Sequence, residues 1–231
     1  MCIAVFIWQD HPFYPLLLLS NRDEYYNRAT KPVAWWEGGE VLGGRDEVAG
    51  GTWLACTRHG RLAFLTNVAE LSQLPEAKSR GNLPLQFLQG WMSPMEFAKE
   101  VLKDADQYNG FNLVLSDLCS KTMVYVTNRP KGESSVQKVS TGIHVLSNAQ
   151  LDTPWQKAER LGRSFKELLD IYGSSEVPVE LMVEKLMTDT TKADIHRLPG
   201  VRSFEMEYNV SSIFVEFDTP EVTFITYLKV A

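Results

Sequence analysis

The sequence is poor in cysteine and has no excess of positive charge. Its 231 residues include only three cysteines, at positions 2, 56 and 119. This sparse, odd set matches neither a disulfide framework nor a zinc site and is typical of a reducing compartment, so we expect a cytoplasmic protein. The 29 acidic residues outnumber the 23 basic ones, and the formal charge of −6 argues against a nucleic-acid partner.

Long apolar runs and clustered histidines are also missing. No stretch reaches the ~18 consecutive apolar residues that span a bilayer, so we predict no transmembrane segment and only peripheral contact with endomembranes. The first apolar run follows no basic segment and is broken at Gln9-Asp10-His11, unlike a signal peptide. The four histidines lack metal-ligand spacing and no Cys-x-x-Cys-His motif is present, so we predict neither a metal nor a cofactor.

What the sequence does contain is a cysteine directly after the initiator methionine. Cys2 opens the apolar run from Ile3 to Ile7, which predicts a buried strand. If Met1 is removed, Cys2 carries a thiol and a free α-amino group, whose ordinary pKa values are ~8.5 and ~7.7–8.0. The amine can then serve as the base for its own thiol nucleophile. The alternative is a hydrophobic strand that begins with a buried, inert cysteine.

Groups of strands alternate with groups of helices along the rest of the chain. Strands are predicted over 16–19, 53–57, 62–66, 111–116, 123–127, 136–139, 143–147, 210–217 and 222–228, and helices over 83–89, 94–103, 153–172 and 179–187. Residues 25–51, with three pairs of glycines, are predicted to be a loop. Hairpin-joined strands covered by helices predict an α+β protein: one domain over 1–231, a four-layer αββα sandwich of two mostly antiparallel sheets.

Polar residues stand where several of the predicted strands end. Arg22 and Asp23 follow the second strand, and antiparallel pairing with the first strand brings them toward Cys2. Asp23 is predicted to hold the α-ammonium group and Arg22 to lower the thiol pKa. Asn67 and Asn148 end two later strands and are predicted to donate hydrogen bonds to an oxyanion. The alternative is that the asparagines form turns and Arg22–Asp23 is an exposed pair.

Several motifs in a fixed order resemble one family. They are Met1-Cys2-Ile3, Asn21-Arg22-Asp23-Glu24, Gly43-Gly44-Arg45-Asp46, Gly50-Gly51-Thr52-Trp53-Leu54, Leu65-Thr66-Asn67, Leu146-Ser147-Asn148 and residues 151–157. They resemble the NRDE family, the transport-and-Golgi-organisation protein 2 group, and the sequence after Ile195 is similar to its plant members. This resemblance implies kinship with N-terminal-nucleophile cysteine hydrolases, such as bile-salt and penicillin V amidases. It also implies Cys2 as nucleophile, with Arg22, Asp23, Asn67 and Asn148 as the other catalytic residues.

The resemblance also implies a cellular role. The family is associated with Golgi organisation and secretion, with mitochondria and acyl-CoA metabolism, and with haem movement. We therefore expect a function in endomembrane organisation and secretion, with trafficking of haem or acyl lipids as small hydrophobic ligands, and a Golgi or mitochondrial association. The alternative functions are an amide or thioester hydrolase that uses Cys2, and a structural organiser without a pocket.

One departure from the family pattern lies near the C-terminus. Family members carry a Tyr-Gly-Thr-Arg-Ser segment shortly before the last strand, and its arginine resembles a catalytic arginine of the hydrolases. Here Phe217-Asp218-Thr219-Pro220 leads directly into Glu221. The C-terminal strand region, about 213–231, is therefore predicted to be shortened and to lack that arginine.

Overall fold

The computed structural model describes residues 2–25 and 27–216, together with the backbone of residues 221–230. The chain divides into two compact units: Met1–Tyr26 with Thr141–Ala231 is the first unit, and Asn27–Ser140 is the second. Each unit contains one antiparallel sheet and its own helices, which confirms the α+β class with two antiparallel sheets. The single domain and the four-layer stacking concern the arrangement of the two units and stay predictions.

The described residues form eleven strands and five α-helices. The strands are β1 (Cys2–Trp8), β2 (Leu16–Tyr25), β3 (Thr30–Trp35), β4 (Val41–Asp46), β5 (Leu54–Thr57), β6 (Arg61–Asn67), β7 (Phe111–Asp117), β8 (Thr122–Thr127), β9 (Ser135–Lys138), β10 (Gly142–Leu146) and β11 (Glu221–Val230). The helices are α1 (Asn82–Gln89), α2 (Pro94–Lys103), α3 (Gln156–Tyr172), α4 (Val179–Met182) and α5 (Phe204–Asn209). None of these helices combines the length and hydropathy of a membrane-spanning segment.

The first unit is built on a sheet of four strands in the order β10-β1-β2-β11. Side chains alternate between the two faces of a strand, so every second residue of β1 reaches the same core. That core joins Ile3, Val5 and Ile7 to Leu161 and Phe165 of α3. A one-residue slip of β1 would carry this apolar set to the opposite face, so the core fixes the position of Cys2 at the end of the strand.

The second unit contains the seven-stranded sheet, in the order β3-β4-β5-β6-β7-β8-β9, with α1 and α2 against it. The α2 helix begins as its sequence predicts, because the Ser93 side chain accepts from the Glu96 backbone while the Glu96 side chain accepts from Ser93. Its apolar face then packs Phe97 beside Phe87 of α1, with ring centroids 5.5 Å apart.

The prediction that residues 25–51 form a loop is wrong, because β3 and β4 lie there. Gly38, Gly39 and Gly50, with φ of +91°, +72° and +75°, adopt the left-handed backbone of turns. Gly43 and Gly44 are inside β4, where neighbouring residues come close. A Cβ atom on Gly43 would lie 2.5 Å from the Cβ of Ala55. Glycine here serves close packing within a sheet.

Three further features of the fold differ from the sequence prediction. β2 continues to Tyr25, so Arg22 and Asp23 lie within a strand and not after it. β9 and β10 do not form a hairpin, because β9 pairs with β8 and β10 with β1, in different sheets. Residues 210–216 form turns, bends and irregular backbone where a strand was predicted. The junction at 217–220, where the shortening was predicted, lies outside the described residues.

Candidate functional site

The register of β1 and β2 fixes the surroundings of Cys2. Cys2 pairs with Arg22 across the two strands, so their side chains lie on the same face of the sheet. Asn21 and Asp23, on either side of Arg22, point to the opposite face. On that face the Asn21 amide nitrogen donates to the Met187 carbonyl at 2.8 Å and to the Ile213 carbonyl at 3.0 Å. These two hydrogen bonds hold this end of β2 against the backbone at Met187 and Ile213.

Two residues directly after β10 hold the backbone of Cys2. The Cys2 backbone N–H donates to Asn148 Oδ1 at 3.2 Å, and Ser147 Oγ donates to the Cys2 carbonyl oxygen at 3.0 Å. Asn148 is almost fully buried, at 1% exposure. The same side-chain oxygen that accepts from this N–H can accept from an α-amino group at the same position, so Asn148 orients the nitrogen that the proposed chemistry requires.

Burial dominates the electrostatics of the thiol. It raises the pKa of Cys2 above its ordinary value, and the negative charge of Asp23 adds to the rise. The positive charge of the chain's terminal α-amino group has the largest effect in the opposite direction, followed by Arg22 and the backbone N–H of Asp23, and together they do not reverse the rise in pKa. The guanidinium of Arg22 also forms an ion pair with Glu24, at 3.1 Å. The thiol is therefore protonated near neutral pH, and it needs a base before it can attack.

Lys157 is a residue that the sequence reasoning missed. It is the second residue of α3, its exposure is 3%, and its Nζ donates to the Val210 carbonyl at 2.8 Å. Burial lowers its pKa to about 8, against the opposite effects of Asp23 and Cys2. One signal was available: Lys157, Leu161 and Phe165 follow one another at four-residue spacing, so a cation interrupts the apolar stripe of the helix.

The predicted site residues therefore fall into two groups. Cys2, Arg22, Asp23 and Asn148 lie together and buried in the first unit. Asn67 belongs to the second unit, where it ends β6 opposite Phe111 and is exposed. Its role as an oxyanion donor stays a prediction. No group of three or more potential metal ligands occurs within the described ranges.

The fold and the site define an α+β protein with two antiparallel sheets and a buried cysteine at the start of its first strand. The model of the Transport and Golgi organisation 2 (TANGO2) family matches residues 1–228, and the chain belongs to this family. It is 36% identical over 198 residues to the Transport and Golgi organization 2 homolog of Mus musculus, covering 81% of this chain and 70% of that protein. The Homo sapiens homolog is 34% identical over 198 residues, with the same two coverages of 81% and 70%.

Solved structures give weaker similarities. A Caenorhabditis elegans ortholog of N-acylethanolamine-hydrolyzing acid amidase matches at a TM-score of 0.43 and 12% identity, covering 97% of this chain and 100% of that one. A penicillin V acylase from Agrobacterium tumefaciens matches at 0.41 and 12% identity, covering 79% and 69%. At TM-scores below 0.5 these similarities decide nothing about the fold, which follows from the two sheets themselves.

Proposed function

We propose that this member of the transport and Golgi organisation family acts on acyl groups carried as amides or thioesters, with Cys2 as the nucleophile. The observation that supports this proposal is the buried cluster at one strand end, in which Arg22 faces Cys2, Asp23 adjoins it and Asn148 holds its backbone. Titratable groups with shifted pKa values around a cysteine are more frequent at reactive sites than elsewhere. Control of acyl groups then accounts for a role in endomembrane organisation and secretion.

The proposed reaction begins with removal of Met1, which frees the α-amine of Cys2. The amine takes the thiol proton as the sulfur bonds to the substrate carbonyl carbon, and the carbonyl electron pair moves to oxygen. An amide N–H group of Asn148 stabilises that oxyanion, a contribution of ~2.7–4 kcal/mol per donor in other enzymes. Collapse breaks the bond to the leaving nitrogen or sulfur, which receives the proton from the ammonium. Water then adds to the acyl-enzyme, transfers a proton through the amine to the sulfur, and releases the acid.

Substitution of Cys2 tests this proposal. In protein whose intact mass shows that Met1 is absent, Cys2→Ala is expected to lower kcat/KM for fatty acyl thioesters and N-acyl amides at least ~10³-fold. Cys119→Ala is the matched control, because Cys119 is an exposed cysteine of the second unit. Turnover that survives Cys2→Ala would rule out nucleophilic catalysis by Cys2. Full turnover by protein that retains Met1 would rule out the α-amine of Cys2 as the base.

The second candidate is non-catalytic carriage of a hydrophobic ligand, haem or a fatty acyl group, between endomembranes of the Golgi or mitochondria. The raised pKa of the Cys2 thiol favours it, because a buried, protonated cysteine is chemically inert. Titration of the protein with haemin and with palmitoyl-CoA separates the two candidates. Saturable binding that is equal in the wild type and in Cys2→Ala, without turnover, supports carriage. If neither haemin nor palmitoyl-CoA binds saturably, carriage of these ligands is excluded.

A further inference from the structure

The first strand extends beyond the end of its neighbour β10. The last pair between the two strands joins Ala4 to Leu146, so their backbone ladder stops two residues short of Cys2. In an antiparallel sheet the N–H and C=O of one residue point toward the same neighbouring strand. Beyond the end of β10, Asn148 accepts from the Cys2 N–H at 3.2 Å and Ser147 donates to the Cys2 carbonyl oxygen at 3.0 Å. The side chains of two consecutive residues thus continue the ladder that the backbone of β10 has ended.

The hydroxyl group of Ser147 lies between the two groups that hold Cys2. Its oxygen is 3.0 Å from the Cys2 carbonyl oxygen and 3.3 Å from Oδ1 of Asn148, and Ser147 is only 5% exposed. A serine has one hydroxyl hydrogen, and the shorter distance favours its donation to the carbonyl oxygen. The next residue, Ile3, is buried in the apolar core. The peptide group between Cys2 and Ile3 is therefore held from both sides.

These contacts matter most once Met1 has been removed, because Cys2 is then joined to the chain by a single peptide bond. The hydrogen bond from Ser147 fixes the plane of that peptide group and with it the Cα atom of Cys2. The hydrogen bond to Asn148 then fixes how the α-nitrogen is rotated about this atom. We propose that Ser147 is a positioning residue of the Cys2 site: its hydroxyl fixes the place from which the α-nitrogen delivers a proton to the leaving group. This inference rests on the proposed function, because that proton transfer belongs to the reaction assigned to Cys2.

The consequence is that the effect of Ser147 on the rate depends on the leaving group. When the tetrahedral intermediate collapses, the bond from the carbonyl carbon to the leaving atom breaks, and the electron pair stays on that atom. A leaving amine has to receive the proton of the α-ammonium group at this step, whereas p-nitrophenolate leaves as a stable anion. A misplaced α-nitrogen therefore slows the cleavage of an anilide more than the cleavage of an ester of the same acid.

Octanoyl p-nitroanilide and p-nitrophenyl octanoate test this dependence, because they share the acyl group and differ in the leaving atom. Product release in the first turnover is followed in protein that lacks Met1. Ser147→Ala is expected to lower the rate at saturation ~10²-fold with the anilide and ~10-fold with the ester, at an unchanged half-saturating concentration. Ser211→Ala is the matched control and should leave both rates unchanged, because Ser211 is also buried and its hydroxyl donates to the Tyr208 carbonyl at 2.7 Å.

A purely structural role for Ser147 predicts that Ser147→Ala lowers both rates by the same factor. That result, or unchanged rates, overturns the inference. Ser147→Thr and Ser147→Val have similar shapes and differ in the hydroxyl, so threonine should restore the wild-type ratio of the two rates and valine should not. This pair also decides the question if Ser147→Ala does not fold, and equal ratios in the pair overturn the inference.

The same measurements separate this inference from the proposed function. Wild-type protein that cleaves neither substrate refutes the proposed function, and the inference about Ser147 with it. Cleavage that is lost in Cys2→Ala but keeps the wild-type ratio of the two rates in Ser147→Ala refutes the inference alone.

Discussion

The two units bury their polar groups in different ways. In the second unit the buried groups are mostly neutral and bonded to one another: the Asn112 amide donates to Thr66 Oγ1 at 3.1 Å and accepts from the Tyr125 hydroxyl at 2.7 Å. The first unit instead buries charges, including Arg22, Asp23, Lys157 and Glu207. In the described part of the second unit, the one buried charged residue is Asp46, which is paired with Arg28 at 2.6 Å.

This difference bears on where the candidate site lies. Neutral polar groups that are hydrogen-bonded to one another cost little to bury, whereas burying a charge carries a large desolvation cost. Glu207 has a structural explanation, because its carboxylate accepts from the backbone N–H groups of three consecutive residues, 200–202. Arg22, which pairs with Glu24 at 3.1 Å, and Asp23 lie on β2 beside Cys2, and the Lys157 ammonium donates to the Val210 carbonyl at 2.8 Å. The contrast between the units therefore singles out the end of β1 as the candidate site.

The largest expected effect tests whether the units differ in their apolar cores as well. Phe165 in the first unit and Phe111 in the second are both fully buried. Phe165→Ala and Phe111→Ala are each expected to lower the free energy of unfolding by ~3–5 kcal/mol, through lost apolar contact and a residual cavity. Urea denaturation at pH 7 and pH 9 measures both variants. If the loss in the free energy of unfolding differs between pH 7 and pH 9 in either variant, the phenylalanine does not stabilise its core through apolar burial alone.

A smaller effect tests the contrast in buried charge directly. The pKa of Lys157 is lowered from 10.5 to about 8, so between these values the unfolded chain holds a proton that the folded chain has released. Stability from this residue therefore rises with pH from about 8 to about 10.5 and is lost as pH falls through 8. The wild type should gain on the order of 3 kcal/mol relative to Lys157→Met across this window.

Denaturant titrations at several pH values measure this gain, and comparison with the variant cancels the groups that both proteins share. Lys166→Met is the matched control, since an exposed lysine of the same helix should leave the slope of stability with pH unchanged. Parallel curves for the wild type and Lys157→Met would mean that the lysine titrates normally, and the distinction between the two units would lose its electrostatic basis.

Local patterns were sufficient to predict much of the fold. The hairpins β5–β6 and β7–β8 and the helices α1 and α2 were predicted because period, turn residues and the Ser93 cap all act within a few residues. The strands β3 and β4 were missed because Gly43 and Gly44 are explained only by neighbours such as Trp53, whose ring lies 2.3 Å from where a Gly44 Cβ would be. Such a contact between residues distant in the sequence cannot be predicted from a local sequence pattern.

The same limit applies to the candidate site. Antiparallel pairing was enough to predict that Arg22 and Asp23 lie near Cys2, since that follows from two adjacent strands. The part played by Lys157 depends on how α3 packs against the sheet and on the path of the chain at Val210, which are properties of the folded unit. The sequence therefore supplied the candidate nucleophile and its strand neighbours, and the structure supplied the buried lysine.

The smallest expected effect concerns a polar contact of the second unit that lies at its surface. Ser93→Ala removes the acceptor at the start of α2 and is expected to lower the free energy of unfolding by about 1 kcal/mol. The hydrogen bonds from Ser93 hold the pKa of the Glu96 carboxyl below its ordinary value, so this stabilisation is present above the unfolded pKa and is lost as pH falls.

Urea denaturation at pH 7 and pH 3 tests both the size and the sign of the Ser93 effect. Ser93→Asn retains a side-chain acceptor and is the control that should stay close to the wild type. A cost of Ser93→Ala that grows as pH falls would contradict the capping mechanism. The expected result shrinks toward acid pH, whereas the contribution of Lys157 appears only at alkaline pH. The two units would then differ in the pH range where their polar contacts stabilise the fold, because one contact is an exposed cap and the other is a buried charge.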